Sequence, residues 1–300
     1  MDVERLRLLR ELAERGTVNA VAHAVSLTPS AVSQQLKILQ REAGVPLLEP
    51  EGRRVRLTDA GRTLVTRADE VLAALDRAEA DMSAYRTVPR GVVRVSMFPS
   101  GAAMLLPELI VDAAATGVEV LGRDIDLPAS QAPAQLADHD VVVVHRDERD
   151  VTPWNPRYEA TVLMREPLEV VLPPGHRLAT RARVPLRELA GESWIGVEGG
   201  LMVDDVLRSL ATLTGVDPRI VQRVNDFRVV EELVSAGVGV ALLPRQVRTV
   251  RELTRKPLSG IRVARRIEAV TRAGATSRPA VATVIEILQR IAGDTIARPR

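Results

Sequence analysis

The sequence predicts a two-part α/β protein: a small, mostly helical N-terminal domain, one long helix, and a larger domain of alternating strands and helices. Three observations carry this. Apolar residues recur at helical spacing through the first 43 positions, and an apolar seam then runs from Leu64 to Tyr85 with no proline or glycine in it. Beyond Pro89, short β-branched runs alternate with helical patterns, the mark of a mostly parallel sheet. At 300 residues and 46% hydrophobic, the chain is long enough for two or three domains with substantial cores. Aromatic residues make up only 2%, so those cores are built from Leu, Val, Ile and Ala.

The helices of the first domain read off in order. Val3, Leu6, Leu9 and Leu12 define the first, which Gly16 ends; Thr17 caps a short second helix carrying Ala20, Val21, Ala24 and Val25. Thr28-Pro29-Ser30 is a cap followed by proline at the first helical position, opening a third helix that runs to about Glu42. Val32, Leu36 and Leu39 face inward on that helix. Ser30, Ser33, Gln34 and Lys37, at i, i+3, i+4 and i+7, face outward. Such hydroxyls and amides can reach base edges and the ammonium a phosphate, although on an isolated helix the same set is equally an ordinary solvated face. Pro46-Leu47-Leu48, a turn at Glu51-Gly52 and Arg53-Arg54-Val55-Arg56-Leu57 then form a short β-hairpin whose three arginines can clamp a nucleic-acid backbone.

Thr58 caps the long helix. Its residues Leu64, Ala68, Val71, Leu75, Ala78, Met82 and Tyr85 are spaced 4, 3, 4, 3, 4, 3, an a/d seam that a partner helix from a second subunit would bury. Packing on its own chain is the alternative. Pro89-Arg90-Gly91 breaks the helix, so the domains are placed at 1–60, 61–88 and 89–300. In the last of these, strands are expected at 92–98, 118–121, 141–145, 168–172, 194–197 and 240–243. Ser100 and Gly101 follow a strand and open a helix, where unpaired amides favour a carboxylate or another polar acceptor. Gly199 and Gly200 form a comparable loop, and Asn225 with Phe227 begins another helix. Plain helix caps explain each of these equally well.

Residues 1–61 resemble the DNA-binding domain of LysR-type transcriptional regulators. The resemblance is carried by Gly16-Thr17-Val18, Ala22, Thr28 to Leu36, Gly44, Pro46-Leu47-Leu48 and Arg54 to Gly61. Leu48 departs from the aromatic usual there, and Pro50 from a common basic residue. Further segments resemble the same family's effector domain: Asp140 to Val144, Glu166 to Pro173, Gly175 to Ala179 and Leu233 to Pro244. The resemblance implies a winged helix-turn-helix, a linker helix, and a two-lobed α/β effector domain like periplasmic binding proteins. Lobe one then falls at about 91–162 plus 263–300 and lobe two at about 163–262. It also implies that Thr28, Pro29, Ser30, Ser33, Gln34, Lys37, Arg53, Arg54 and Arg56 meet DNA, and that the seam joins two chains. Ser100, Gly101, Gly199 and Phe227 are expected to border the effector pocket. The expected partners are a double-stranded operator, a small-molecule effector, a second copy of the chain (a dimer, with a tetramer as extension) and RNA polymerase.

Other classes fit less well. The four histidines, His23, His139, His145 and His176, have no metal-ligand spacing, and no catalytic or nucleotide-binding fingerprint occurs in a supporting context. No enzyme activity, metal or cofactor is expected. Asp138-His139-Asp140 reads as a loop before a strand. A solute-binding protein would need export, and Met1 to Arg15 lacks the unbroken apolar run of a signal segment, so a cytoplasmic location is expected. No stretch reaches the ~18 to 20 apolar residues of a membrane span. The absence of cysteine removes disulfides and thiol chemistry. Net charge is only +2; residues 1–60 hold nine basic against eight acidic side chains, and the basic surplus lies in 251–300, eleven against four, where a solvated surface is expected.

Overall fold

The computed structural model describes residues 1–51, 54–84, 91–198, 202–247, 251–260 and 263–298. The first three helices are α1 (Val3–Arg15), α2 (Val18–Ala24) and α3 (Pro29–Ala43). Each starts on a side-chain cap: Asp2 accepts from the Glu4 amide at 2.8 Å, Thr17 from Ala20 at 3.2 Å and Thr28 from Ala31 at 3.2 Å. α1 and α3 end on Gly16 and Gly44, both left-handed at φ near 73° and 72°. The hairpin is β1 (Leu48–Glu51) with β2 (Arg54–Leu57), followed by α4 (Asp59–Ala84).

The winged domain closes on Leu9, Val21, Val32, Leu36, Leu39 and Leu47, and α4 contributes Val65 and Ala68 to the same core. The packed unit therefore extends past residue 60 to Ala68. Gly61 lets α4 start there: a Cβ on it would lie 2.2 Å from the Leu47 carbonyl oxygen. Thr58 fixes the corner, accepting from the Gly61 amide at 3.0 Å while donating to the Pro46 carbonyl at 2.8 Å.

The larger domain begins β3 (Gly91–Met97), α5 (Pro99–Ala115), β4 (Val118–Asp124), α6 (Ala132–Gln135) and β5 (Val141–Asp147). It continues through β6 (Tyr158–Leu172), β7 (Val184–Pro185), β8 (Ser193–Gly196), α7 (Met202–Thr214), β9 (Arg219–Arg223) and α8 (Phe227–Ser235). It ends with β10 (Val240–Pro244), β11 (Thr254–Ser259), β12 (Ala264–Arg272) and α9 (Pro279–Ala297). The strand order is β4-β3-β5-β12-β6-β10-β8-β9, with β11 joining β6 to β7.

Two lobes share that sheet. Lobe one packs α5 and α9 over Val93, Val95, Leu105, Val141, Ile267 and Leu288; lobe two packs around Leu172, Trp194, Leu207 and Leu242. The expectation of a mostly parallel sheet holds within each lobe only. Between the lobes β6 runs out and β12 runs back, so β12 pairs antiparallel with β6 and β5, and β6 antiparallel with β10 and β11. Two crossings in opposite directions can only pair that way. β6 is correspondingly longer than the expected 168–172 strand, starting at Tyr158 because its first half belongs to lobe one.

Candidate nucleic-acid interface and effector cleft

α3 divides cleanly. Val32, Leu36 and Leu39 are buried, while Thr28, Pro29, Ser30, Gln34 and Lys37 are exposed and Ser33 is half-buried. Thr28 and Ser30 hydroxyls lie 3.0 Å apart, so the N-terminal turn of the exposed face is ordered by its own side chains. From Pro29 to Lys37 α3 makes about two and a half turns, a length of surface that fits a major groove.

The wing is held to α3 by a residue the sequence reading did not single out. Gln40 Oε1 accepts from the Leu47 amide at 2.9 Å and the Leu48 amide at 3.0 Å. An amide side chain one turn beyond Leu36 reads as an ordinary surface residue, and its partners become visible only once the hairpin folds back. On the wing itself, Glu49 stands directly opposite Arg56, and the two form an ion pair at 2.7 Å. Arg56 is thus partly neutralised rather than free. Arg54 is placed by its backbone opposite Glu51, and Arg53 lies outside the described residues.

Along the seam of α4, Leu64 and Ala68 pack within the winged domain. Val71, Leu75, Ala78 and Met82 remain exposed, and Tyr85 lies outside the described residues.

At the junction of the lobes the charges are internal. Arg265 of β12 is 3% exposed; its Nε donates to Glu166 Oε2 of β6 at 2.5 Å and its Nη2 to Ser100 Oγ at 3.0 Å. Its guanidinium lies 4.7 Å from the centre of the Phe98 ring, which in turn meets His145 edge-on at 4.7 Å. Glu166 Oε1 accepts from the Gln246 amide at 3.0 Å. Burial, with Arg265 nearby, pushes His145 down to about 3, so the imidazole is neutral at ordinary pH. Burial also raises the Asp126 carboxyl, opposed by Arg265. His145 Nδ1 and Gln246 Oε1 are shielded from solvent without a hydrogen-bond partner.

Of the four residues expected at this pocket, Ser100 joins the group, and its hydroxyl already accepts from Arg265. Gly101 is buried against Phe98, where a Cβ would come within 2.6 Å of the ring, so its smallness serves packing. Phe227 is half-buried between the two cores of lobe two. Gly199 lies outside the described residues. Arg265, Glu166 and His145 were not anticipated, because a polar residue in a strand gives no sign in sequence of what will cover its face, here Phe98 and Ser100 over Arg265. Among the described residues no cluster of metal-ligating side chains occurs, and no helix is long and apolar enough to cross a membrane.

Two family models match. The bacterial regulatory helix-turn-helix protein, lysR family, covers residues 3–62, and the LysR substrate binding domain covers residues 86–292. The chain belongs to the LysR family of bacterial transcriptional regulators, proteins that join a helix-turn-helix to an effector-binding domain and are not enzymes. It is 27% identical over 249 residues to the transcriptional dual regulator GltC of Bacillus subtilis (strain 168), covering 81% of each chain. A full-length OxyR variant of Pseudomonas aeruginosa shares the fold with a TM-score of 0.67 at 18% identity, over 96% of this chain and 98% of that one. Full-length CbnR complexed with its target DNA shares it with a TM-score of 0.54 at 22% identity, over 97% and 100%.

Proposed function

We propose that this regulator reads an operator with the outer face of α3, and that a small molecule bound between the lobes sets how it does so. The observation that carries the reading is the two-faced helix: a buried Val32-Leu36-Leu39 side rigidly presents Ser30, Ser33, Gln34 and Lys37 to solvent beside a two-stranded wing. Ser33 and Gln34 address base edges, while Lys37, Arg53 and Arg54 address phosphates. Thr28 and Pro29 hold the first turn against the backbone, and Arg56 contributes less because Glu49 competes for it.

Two reading heads come from two chains. The exposed stripe Val71, Leu75, Ala78 and Met82 supplies a surface for a second copy, which spaces the heads for two half-sites. A tetramer and contact with RNA polymerase extend the same scheme, acting in the cytoplasm where the DNA lies. The effector meets Ser100 and the Arg265–Glu166 pair, a site suited to a small polar or anionic molecule that can enter an existing charge network. Gly101 shapes that site through Phe98, and Gly199 and Phe227 are proposed as further residues bordering it.

The test is binding of the purified protein to labelled DNA from its own upstream region, against a scrambled duplex, across a salt titration. Selective, salt-sensitive binding that Gln34→Ala weakens supports the reading. Equal binding of both duplexes by wild type and variant at every salt concentration overturns it.

A further inference from the structure

The winged domain and lobe one of the same chain are joined by charged contacts that the regulator reading does not use. Arg272, the last residue of β12, donates through both terminal nitrogens to Glu14 of α1, at 3.1 and 2.9 Å, and also to the Leu136 carbonyl. Arg15, at the end of α1, pairs with Asp138 at 2.7 Å and donates to the Ala137 carbonyl at 3.2 Å. Arg157, just before β6, pairs with Asp69 of α4. The Glu14 side chain is only 3% exposed, and Leu72 of α4 is buried at the same junction. A cavity of about 230 Å³ remains between the bodies, lined in part by Arg10, Glu14, Leu72, Tyr158 and Arg272.

We infer that these contacts form a latch that sets the pose of the reading head on lobe one, and that β12 links it to the cleft. Three features support this. The pairs come from two helices, α1 and α4, and from three separate segments of lobe one, so together they fix orientation, which a single flexible ion pair cannot. Bidentate arginine–carboxylate geometry, as at Arg272–Glu14, tolerates little rotation. The latch also leaves Ser30, Gln34 and Lys37 exposed, so it aims the head without covering it.

The link to the cleft is covalent and short. Arg265 and Arg272 lie near the two ends of one strand, seven residues apart, paired with β6 along that length through one bulge at Ile267/Glu268 and with β5 from Arg265 to Val270. At about 3.4 Å per residue that is roughly 24 Å, spanned by an element that does not stretch. A ligand that displaces Arg265 from Glu166 or Ser100 shifts β12 or its neighbours, and Arg272 carries the shift to α1. This second half rests on the effector reading above; the latch itself does not.

The cysteine-free chain makes the test direct. Asn19→Cys in α2 and Glu119→Cys in β4, both at exposed positions, place one spin label on each body of the full-length protein. Diluting labelled with unlabelled chains isolates the intrachain distance. The expected result is one narrow distance distribution, broadened by the triple substitution Glu14→Gln, Arg15→Gln and Asp69→Asn and untouched by Arg290→Gln, which removes an ion pair to Asp112 within lobe one. All the latch substitutions lie on α1 and α4, outside lobe one, so lobe one keeps its fold. A broad wild-type distribution, or a latch variant superimposable on wild type, overturns the latch. Arg265→Gln is expected to shift or broaden the distribution through β12; no change there, with the latch variant still broad, overturns the linkage to the cleft alone.

Discussion

α3 and β12 are both short elements dotted with charge, and they use it in opposite ways. On α3 the polar residues stand on one face, and Ser30, Gln34 and Lys37 are exposed, while the apolar residues face the core. On β12, Arg265 and Glu268 are each 3% exposed and are answered by other side chains. Arg265 meets Glu166 and Ser100; Glu268 accepts from Trp154 at 3.0 Å and from Arg266 at 2.6 Å. A helix on the surface can keep its charges in water at no cost. A strand face covered by other elements cannot, and each buried charge there demands a partner. Charge on α3 is thus available to a ligand from outside, whereas charge on β12 is already engaged and can respond only by exchange.

The comparison breaks most sharply if a buried charge on the crossover strands can be orphaned without harm. Glu166→Ala strands Arg265, and we expect a loss of about 3 to 5 kcal/mol in urea unfolding. The joint replacement Arg265→Met with Glu166→Leu should recover most of that. Next in size is the pH response of the same region. His145 is held neutral when folded but takes up a proton near 6.5 when unfolded. Below that value the unfolded state gains a proton the folded state refuses, so stability falls as pH drops from about 6.5 and levels off only near 3. Unfolding midpoints in that window should fall, and the His145→Leu variant should show a flatter profile.

On the α3 side effects on folding shrink and effects on binding grow. Gln40→Ala leaves the Leu47 and Leu48 amides without their acceptor and should cost about 1 to 3 kcal/mol of stability, together with altered wing exchange rates by NMR. Gln34→Ala should leave unfolding within about 0.5 kcal/mol of wild type yet lose about 1 to 3 kcal/mol on the operator alone. The smallest expected difference separates two cations. Lys37→Ala should flatten the slope of log affinity against log salt by about 0.9, and Arg56→Ala by less, because Glu49 already screens it. Equal slopes for the two would mean the hairpin ion pair opens on DNA.

Much of the winged domain was legible because its signals are local. Thr17, Thr28 and Thr58 are caps, Gly16 and Gly44 are stops, and Val32-Leu36-Leu39 is a helical stripe; each depends on neighbours within one or two turns. Gln40 was missed because its partners lie seven and eight residues away, across a corner. The seam of α4 was read as continuous, but its first positions face the winged domain, and periodicity alone does not say which neighbour a stripe meets. In the α/β half, β3, β4, β5, β8 and β10 were anticipated, while β7, β9, β11, β12 and the first half of β6 were not. The alternating charges of β12 and β6 argue for exposure until their neighbours are known.

The basic surplus of residues 251–300 shows the same division. Composition suggested a solvated surface, and Arg251 and Arg290 keep to it at 53% and 48% side-chain exposure although paired with Glu232 and Asp112, whereas Arg265 and Arg272 turn inward to Glu166 and Glu14. Asp138 and Asp140, taken as plain loop residues, are the acidic ends of two such pairs, with Arg15 and Arg278. The sequence by itself determined the helices, their caps, the outward face of α3 and the two-part order of the chain, since these follow from periodicity and from side chains within reach of their own backbone. Only the tertiary structure decided which charges are buried, which arginine meets which carboxylate, and how the winged domain rests on lobe one. Those pairings join residues as much as 258 positions apart, as Glu14 and Arg272 are, and no local pattern encodes a contact that exists only after the whole sheet has formed.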